Sequence, residues 1–526
     1  MLILNGHTLK LHNLWQAVYH GDKCIINPDS RVLMKKSRDL VERLASEPRA
    51  IYGINTGFGP LSDTRISEDK LEQHQLNLLH HLSVGQGELY TSIETKAIMI
   101  ARANALVRGY SGIREEVVEL LLNALNQNVL PEIPSEGSVG ASGDLVPLAH
   151  MSRLLVGLGY ARVDGRRLPA KSALEEKGLS PVTLKCKEGL ALVNGTSVMT
   201  GLMALATVES ACILSWMEFL TSCLFQILYG EPEVLCEQIH RARGHRGQFA
   251  VAGMITEYLL SHPDYAKEIK EHHWGTHRKP VAPGVEIQDP YSLRCSPQIL
   301  GAFQDAYWHV EQVVTRELNA STDNPLVFPD TQTVIHGGNF YGQHVSMVSD
   351  YLRIGLVKLA LLSERQTERL MNWRYNIGLP PLLSGDTPGL NSGMAGCQLL
   401  ATSLAAEARI LATPASVQTI PTNANNQDIV SMGTISANMT RKVLQLLWKL
   451  LAIESIALVQ AADLRDNRNV MGRDYLTFYQ LIREVSQPLK EDRPLYEDIE
   501  RVSRLLQSED AQKTCLRGRP PNPLKP

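Results

Sequence analysis

The chain has 526 residues, 44% of them hydrophobic and 20% charged, with a formal net charge of −3. That length can bury a sizeable core, in about two to four domains or in one large helical assembly. A nearly neutral chain without a basic block gives no reason to expect a nucleic acid or an anionic membrane surface as partner.

The N-terminus, MLILNGHTLKLHNLW, has a short apolar start but neither a cationic region nor a small-residue cleavage site. Residues 52–60 (YGINTGFGP) form a loop punctuated by Gly53, Gly57 and Gly59, the composition of a mobile lid. No Lys-Ser/Thr follows these glycines, so a phosphate loop is rejected. Glu94 to Val107 repeats apolar residues at helical spacing, with Gly109 placed to end the helix. Three longer segments, about 197–229, 343–373 and 436–462, are rich in Leu, Ala, Met, Glu and Gln and predict long helices. The last is apolar nearly all round, as for a helix inside a bundle or at a subunit interface. Within it Val443 to Val459 is interrupted by Gln445, Lys449 and Glu454, which makes a poor membrane span. Asn324–Phe328 and Thr333–Ile335 flank a turn at Pro329-Asp330 and predict a small hairpin. The proline-rich tail 517–526 reads as extended or disordered. Eight scattered cysteines without a CxxC pair read as free buried thiols in a reducing cytoplasm. The expected division is an N-terminal domain, 1–200, of glycine-rich loops and helices, and a long-helix bundle, 201–526.

The most informative stretch is Ala141-Ser142-Gly143, followed by Asp144. If the Gly143 nitrogen attacks the Ala141 carbonyl and two waters leave, Ser142 becomes a dehydroalanine within a five-membered imidazolone. The product is an electrophile that no ordinary side chain supplies. Ring closure needs a glycine for the close approach, a serine to dehydrate and a small residue before it.

The motif GSVGASGDLVPLAH (137–150) resembles the prosthetic-group segment of the aromatic amino acid ammonia-lyase and aminomutase family. YGINTGFGP (52–60), EGLALVNGTSVMTG (188–201), QDPYSLRCSPQILG (288–301), STDNPLVF (321–328), HGGNF (336–340) and NNQDIVSMG (425–433) resemble further family segments in the family's order. The resemblance covers essentially the whole chain. It implies a mainly α, fumarase/aspartase-like superhelical bundle in the shorter bacterial form, assembled as a homotetramer whose active sites combine residues from three subunits. It also implies a 4-methylideneimidazol-5-one (MIO) group formed autocatalytically from Ala141, Ser142 and Gly143, with no metal.

Losing ammonia across Cα–Cβ needs an electrophile for the amine and a base for the β-proton. The resemblance assigns the base to Tyr52, whose phenol, normally near pKa ~10, would have to be depressed by its surroundings. Arg294 becomes the substrate-carboxylate clamp, as its planar fork suits two oxygens. Gln288 and Tyr291 fall on family positions beside it. Asn194 and Tyr291 are expected near the imidazolone oxygen or the amine. Phe340 would pack against the prosthetic group, and Asn339 is a weaker candidate.

Substrate choice rests on two places. His81-Leu82 matches the His-Leu of tyrosine lyases, whereas phenylalanine lyases carry Phe-Leu and histidine lyases place their His one position later. Gln427 stands where histidine lyases have Glu. Both favour conversion of L-tyrosine to 4-coumarate, with histidine lyase, phenylalanine lyase and tyrosine 2,3-aminomutase as rivals on the same scaffold. A catalytically silent helical paralogue is opposed by the intact Ala141-Ser142-Gly143, Tyr52, Asn194 and Arg294. A different class, a metal-dependent hydrolase using His272, His273 and His277, is disfavoured by Gly275 within the HxxxH spacing and the absence of HExxH.

Overall fold

A computed structural model describes residues 1–272, 288–465 and 471–517. It is mainly helical, and its strands form only two- and three-stranded sheets. Contacts divide the chain into two compact units, each drawing on three separated stretches. The first is Met1–Val208, Val310–Asp350 and Pro414–Arg441; the second is Glu209–His309, Tyr351–Thr413 and Lys442–Pro526.

In the first unit the Ser92–Leu106 helix is buried on almost every side. It starts at a capping box, with the Thr91 hydroxyl accepting from the Glu94 amide and the Glu94 carboxylate accepting from the Thr91 amide. It ends at Leu106, capped by Val107, and Gly109 turns into the left-handed region at φ 78° three residues beyond. The Leu71–Leu82 helix packs against Leu145–Arg153 and Glu188–Val193. The predicted hairpin is present, Leu326–Phe328 pairing antiparallel with Thr333–Ile335 so that Leu326 faces Ile335.

The three long helices are Ser197–Ile227, Gln343–Met371 and Gly433–Leu464. The first and last are long and apolar enough to cross a membrane by length and composition, but 89% of each apolar stretch is covered by protein. They are core helices. The core of the second unit is aromatic: Phe219 meets Phe478 and Tyr258 edge-on at 5.1 Å each, and the Trp216 indole donates to the Leu506 carbonyl. All eight cysteines are free thiols, and six are buried. Burial pushes Cys24, Cys186, Cys212 and Cys515 up to about 12.

A carboxyl also lies inside this second core. Glu454, on Gly433–Leu464, is 1% exposed and accepts a 2.5 Å hydrogen bond from the Ser363 hydroxyl. Burial pushes its pKa up to about 8 from the ordinary 4.5. The folded protein therefore holds a proton that the unfolded chain releases, and stability falls as pH rises from about 4.5 to about 8. Glu454→Gln, which cannot ionise, should flatten that part of the thermal-midpoint profile; an unchanged slope would remove Glu454 as its source.

Candidate active site

The candidate tripeptide lies where the chain doubles back on itself. Gly140 and Gly143 face each other in an isolated bridge, and Gly143 also bridges Gly195. The Gly195 amide donates to the Ser142 carbonyl at 3.1 Å, and the Asp144 amide donates to the Gly195 carbonyl at 2.8 Å. Gly143 is held at φ 69°, and a Cβ there would overlap the Gly195 carbonyl oxygen. A Cβ on Gly140 would likewise overlap the Ser431 hydroxyl. Only glycine allows this approach of backbone to backbone.

Asp144 fixes the downstream side of the turn. One carboxylate oxygen accepts from the amides of Val198 and Met199, at 2.7 and 3.1 Å, in the first turn of Ser197–Ile227. The other accepts from the hydroxyls of Thr434 and, at 3.4 Å, Ser138. Burial raises the acid to about 6 despite these four bonds. On the upstream side Ala141 packs against Val430 and Met432, and the Met432 amide donates to the Val139 carbonyl. Residues far apart in sequence thus clasp the tripeptide from both sides.

Asn194 directly precedes the bridging Gly195 and is 2% exposed. Its amide nitrogen donates to the Asp323 carboxylate and to the Asn324 carbonyl, both at 3.0 Å. Both partners only accept, so the nitrogen faces them and the amide oxygen is the atom left for other groups. Asp323 in turn is paired with Lys187 at 2.6 Å, and both side chains are almost fully buried. Arg102, also buried, donates to the Ala191 carbonyl and the Ser197 hydroxyl, and desolvation lowers it to about 10.

Tyr52 is half-buried, its ring edge-on to His336 at 5.8 Å, while Gly53 beside it packs on Pro325 and Leu190. The sequence leads one to expect a depressed phenol. In the structure its pKa is raised: burial dominates, the Asp323 charge adds to it, and a hydrogen bond with the Gly59 backbone opposes both. Phe340 is half-buried, and Asn339 donates to the Ser321 carbonyl at 3.3 Å.

His81 and Leu82 end the Leu71–Leu82 helix, His81 exposed and Leu82 half-buried. His81 Nδ1 lies 3.1 Å from the Asn77 carbonyl. A carbonyl only accepts, so Nδ1 carries a proton, and in the neutral ring Nε2 is the acceptor. Gln427 is half-buried and follows three consecutive non-glycine residues in the left-handed region, Asn423, Ala424 and Asn425, at φ 56°, 53° and 62°. Mutual backbone bonds between Thr422 and Gln427 close this turn. Left-handed residues with a Cβ cost roughly 1–2 kcal/mol each, so the turn holds its shape against local preference.

Gln288, Tyr291 and Arg294 belong to the second unit. Tyr291 opens the short helix Tyr291–Arg294 and is 70% exposed. The Arg294 guanidinium lies 4.9 Å from the Tyr291 ring centre and donates through Nε to the Asp289 carbonyl at 3.1 Å. That leaves its two terminal nitrogens as the fork for a carboxylate. Gln288 is exposed.

Among the described residues no group of three or more His, Cys, Asp or Glu side chains is placed to hold a metal ion. His272 caps the Pro263–Glu271 helix; His273 and His277 lie outside the described residues.

Comparison with known proteins agrees with this geometry. The family model for aromatic amino acid lyases matches residues 9–484. Histidine ammonia-lyase of Geobacillus kaustophilus (strain HTA426) is 42% identical over 98% of this chain and 99% of its own. The structure of tyrosine aminomutase from Streptomyces globisporus superposes with a TM-score of 0.91 at 34% identity, covering 98% of both chains. That of histidine ammonia-lyase from Trypanosoma cruzi gives 0.87 at 34% identity, covering 98% of this chain and 94% of that one. The fold is the fumarase-like helical one that the sequence resemblance implies. With the match running through both units and through the tripeptide crossing, the chain belongs to the aromatic amino acid lyase family, as an ammonia-lyase enzyme.

Proposed function

We propose that this enzyme converts L-tyrosine to 4-coumarate and ammonia, using an MIO group formed from Ala141, Ser142 and Gly143. The observation that carries the substrate assignment is His81, whose Nδ1–H is committed to the Asn77 carbonyl. Its Nε2 is then an acceptor matched to a phenolic O–H, which phenylalanine lacks. Gln427 supports the same reading, since a neutral amide replaces the carboxylate suited to an imidazole ring.

The compressed turn suits the prosthetic group, because Gly143 has room for no side chain and Gly195 and Asp144 hold the backbone bent. The chemistry such a ring supplies is an electrophile for the substrate amine. Arg294 binds the substrate carboxylate through its free nitrogens. Tyr52 takes the β-proton as the Cα–N bond breaks and the double bond forms. In the free chain Tyr52 is a neutral phenol at neutral pH, so its basic form depends on charges brought by substrate or by neighbouring subunits. Exposed Tyr291 and Gln288 fit a homotetramer in which each site draws on several subunits. No metal takes part in this scheme, and the reducing cytoplasm suits the free thiols.

The test is a kinetic panel of tyrosine, phenylalanine and histidine, with intact-mass measurement of the folded protein for a deficit equal to two waters. Tyrosine should give the highest kcat/KM. In His81→Phe the tyrosine-to-phenylalanine ratio should fall roughly tenfold or more, because leaving a polar group unpaired costs about 1–3 kcal/mol. An unchanged ratio excludes His81 as the selector.

Histidine is the second reading, favoured by the Geobacillus kaustophilus relative being a histidine ammonia-lyase. Urocanate as the dominant product would establish it. Accumulation of a β-amino acid would instead identify an aminomutase.

A further inference from the structure

We infer that His74 is a positioning residue for Tyr52, latching the glycine-punctuated loop through Thr56 and Phe58. The inference rests on Tyr52 being the base and adds how that base is held.

His74 lies on the Leu71–Leu82 helix, seven residues before His81. Seven residues are about two helical turns, so both histidines share one face. The helix is anchored from behind: Gln75 is fully buried, and its side-chain oxygen accepts from the Leu190 amide at 3.2 Å. It is therefore a fixed reference for whatever His74 touches.

His74 touches the loop twice. Its Nε2 lies 3.1 Å from the carbonyl of Thr56, a residue 3% exposed. Its ring stacks on Phe58 with centres 4.4 Å apart and planes 11° from parallel. Since the carbonyl only accepts, Nε2 carries the proton. Burial lowers the His74 pKa against the opposing bond to the Thr56 carbonyl, which favours the neutral ring that stacks.

The loop transmits this hold to Tyr52 through its own backbone. The Gly57 amide donates to the Thr64 carbonyl, Leu61 to Phe58 and Ile66 to Asn55, closing residues 55–66 into one compact unit. On the other side the loop is tied to the backbone next to Tyr52, the Asn55 side-chain oxygen accepting from the Ile51 amide at 2.7 Å. A latch at Thr56 and Phe58 thus acts next to Asn55, the residue that fixes the backbone flanking Tyr52. One helix carries both the loop anchor and the proposed substrate selector, so loop position and recognition of the para substituent share a single rigid frame.

The experiment compares His74→Ala, His74→Gln and Tyr52→Phe in the full-length enzyme, with the best substrate of the kinetic panel in normal and β-deuterated form. His74→Ala should lower kcat about tenfold or more, with KM little changed, as expected when a catalytic group is held less well. The deuterium isotope effect should rise, and amide exchange across residues 56–66 should accelerate. His74→Gln, which keeps a donor for Thr56, should recover part of each change. Unchanged kcat in His74→Ala overturns the role of His74, as does a loss of kcat without change in exchange or isotope effect. Tyr52→Phe separates the two assignments. At full rate it removes the base and the positioning role together, whereas a slow Tyr52→Phe beside a fully active His74→Ala removes only His74.

Discussion

Ser142→Ala should lower kcat by on the order of 10^3-fold or more, the scale expected when a covalent participant is lost. The fold should survive. Ser142 is half-buried, and the bond that ties it to Gly195 uses its backbone carbonyl, not its hydroxyl. Circular dichroism and thermal midpoint should match the parent, while the two-water mass deficit disappears. Full turnover in Ser142→Ala would falsify the prosthetic-group assignment. A collapse of the thermal midpoint would instead make the serine structural. Binding and general-base terms survive the substitution, so a residual rate above background is compatible with the assignment.

Lys187→Met should cause the largest loss of stability among the site-region substitutions. The Lys187–Asp323 pair is 2.6 Å long, with side-chain exposures of 0% and 1%. Removing one partner of a buried pair leaves an uncompensated charge and costs about 3–5 kcal/mol. Asp323 also accepts from the Asn194 amide and the Asn324 backbone, so the damage should reach the site as well. Lys187→Met combined with Asp323→Asn removes the orphaned charge while keeping an acceptor for Asn194. That double variant should be more stable than Lys187→Met alone, as a coupled pair requires. Denaturant unfolding that leaves Lys187→Met within about 1 kcal/mol of the parent would assign the pair no role in stability.

Features built from local chemistry were legible in the sequence. The long helices follow from composition, and the 197–229 segment became Ser197–Ile227 because Leu, Ala and Met favour helix with little competition from breakers. The hairpin at 326–335 follows from β-branched residues around a Pro-Asp turn. The need for a glycine after Ser142 follows from close backbone approach, and in the structure Gly143 has no room for a Cβ. Pairings across hundreds of residues were not legible. Nothing near Asp144 indicates that Thr434 would bond it, nor does the sequence beside Lys187 indicate Asp323. The Tyr52 pKa went against expectation for the same reason. Its direction is set by burial and by a carboxylate 271 positions along the chain, neither of which a loop motif reveals. His74 has no distinguishing signal in the sequence; only its contacts with Thr56 and Phe58 mark it.

The distribution of thiols has a practical corollary. Six of the eight are shut inside the protein, and only Cys236 and Cys295 reach partway to solvent. Alkylation needs the thiolate, which buried sulfhydryls pushed toward 12 scarcely form at neutral pH. A maleimide dye is thus directed to two attachment points, and Cys295 is the residue next to Arg294. With Cys236 changed to serine, a fluorophore at 295 becomes an optical reporter beside the arginine proposed to bind the substrate carboxylate.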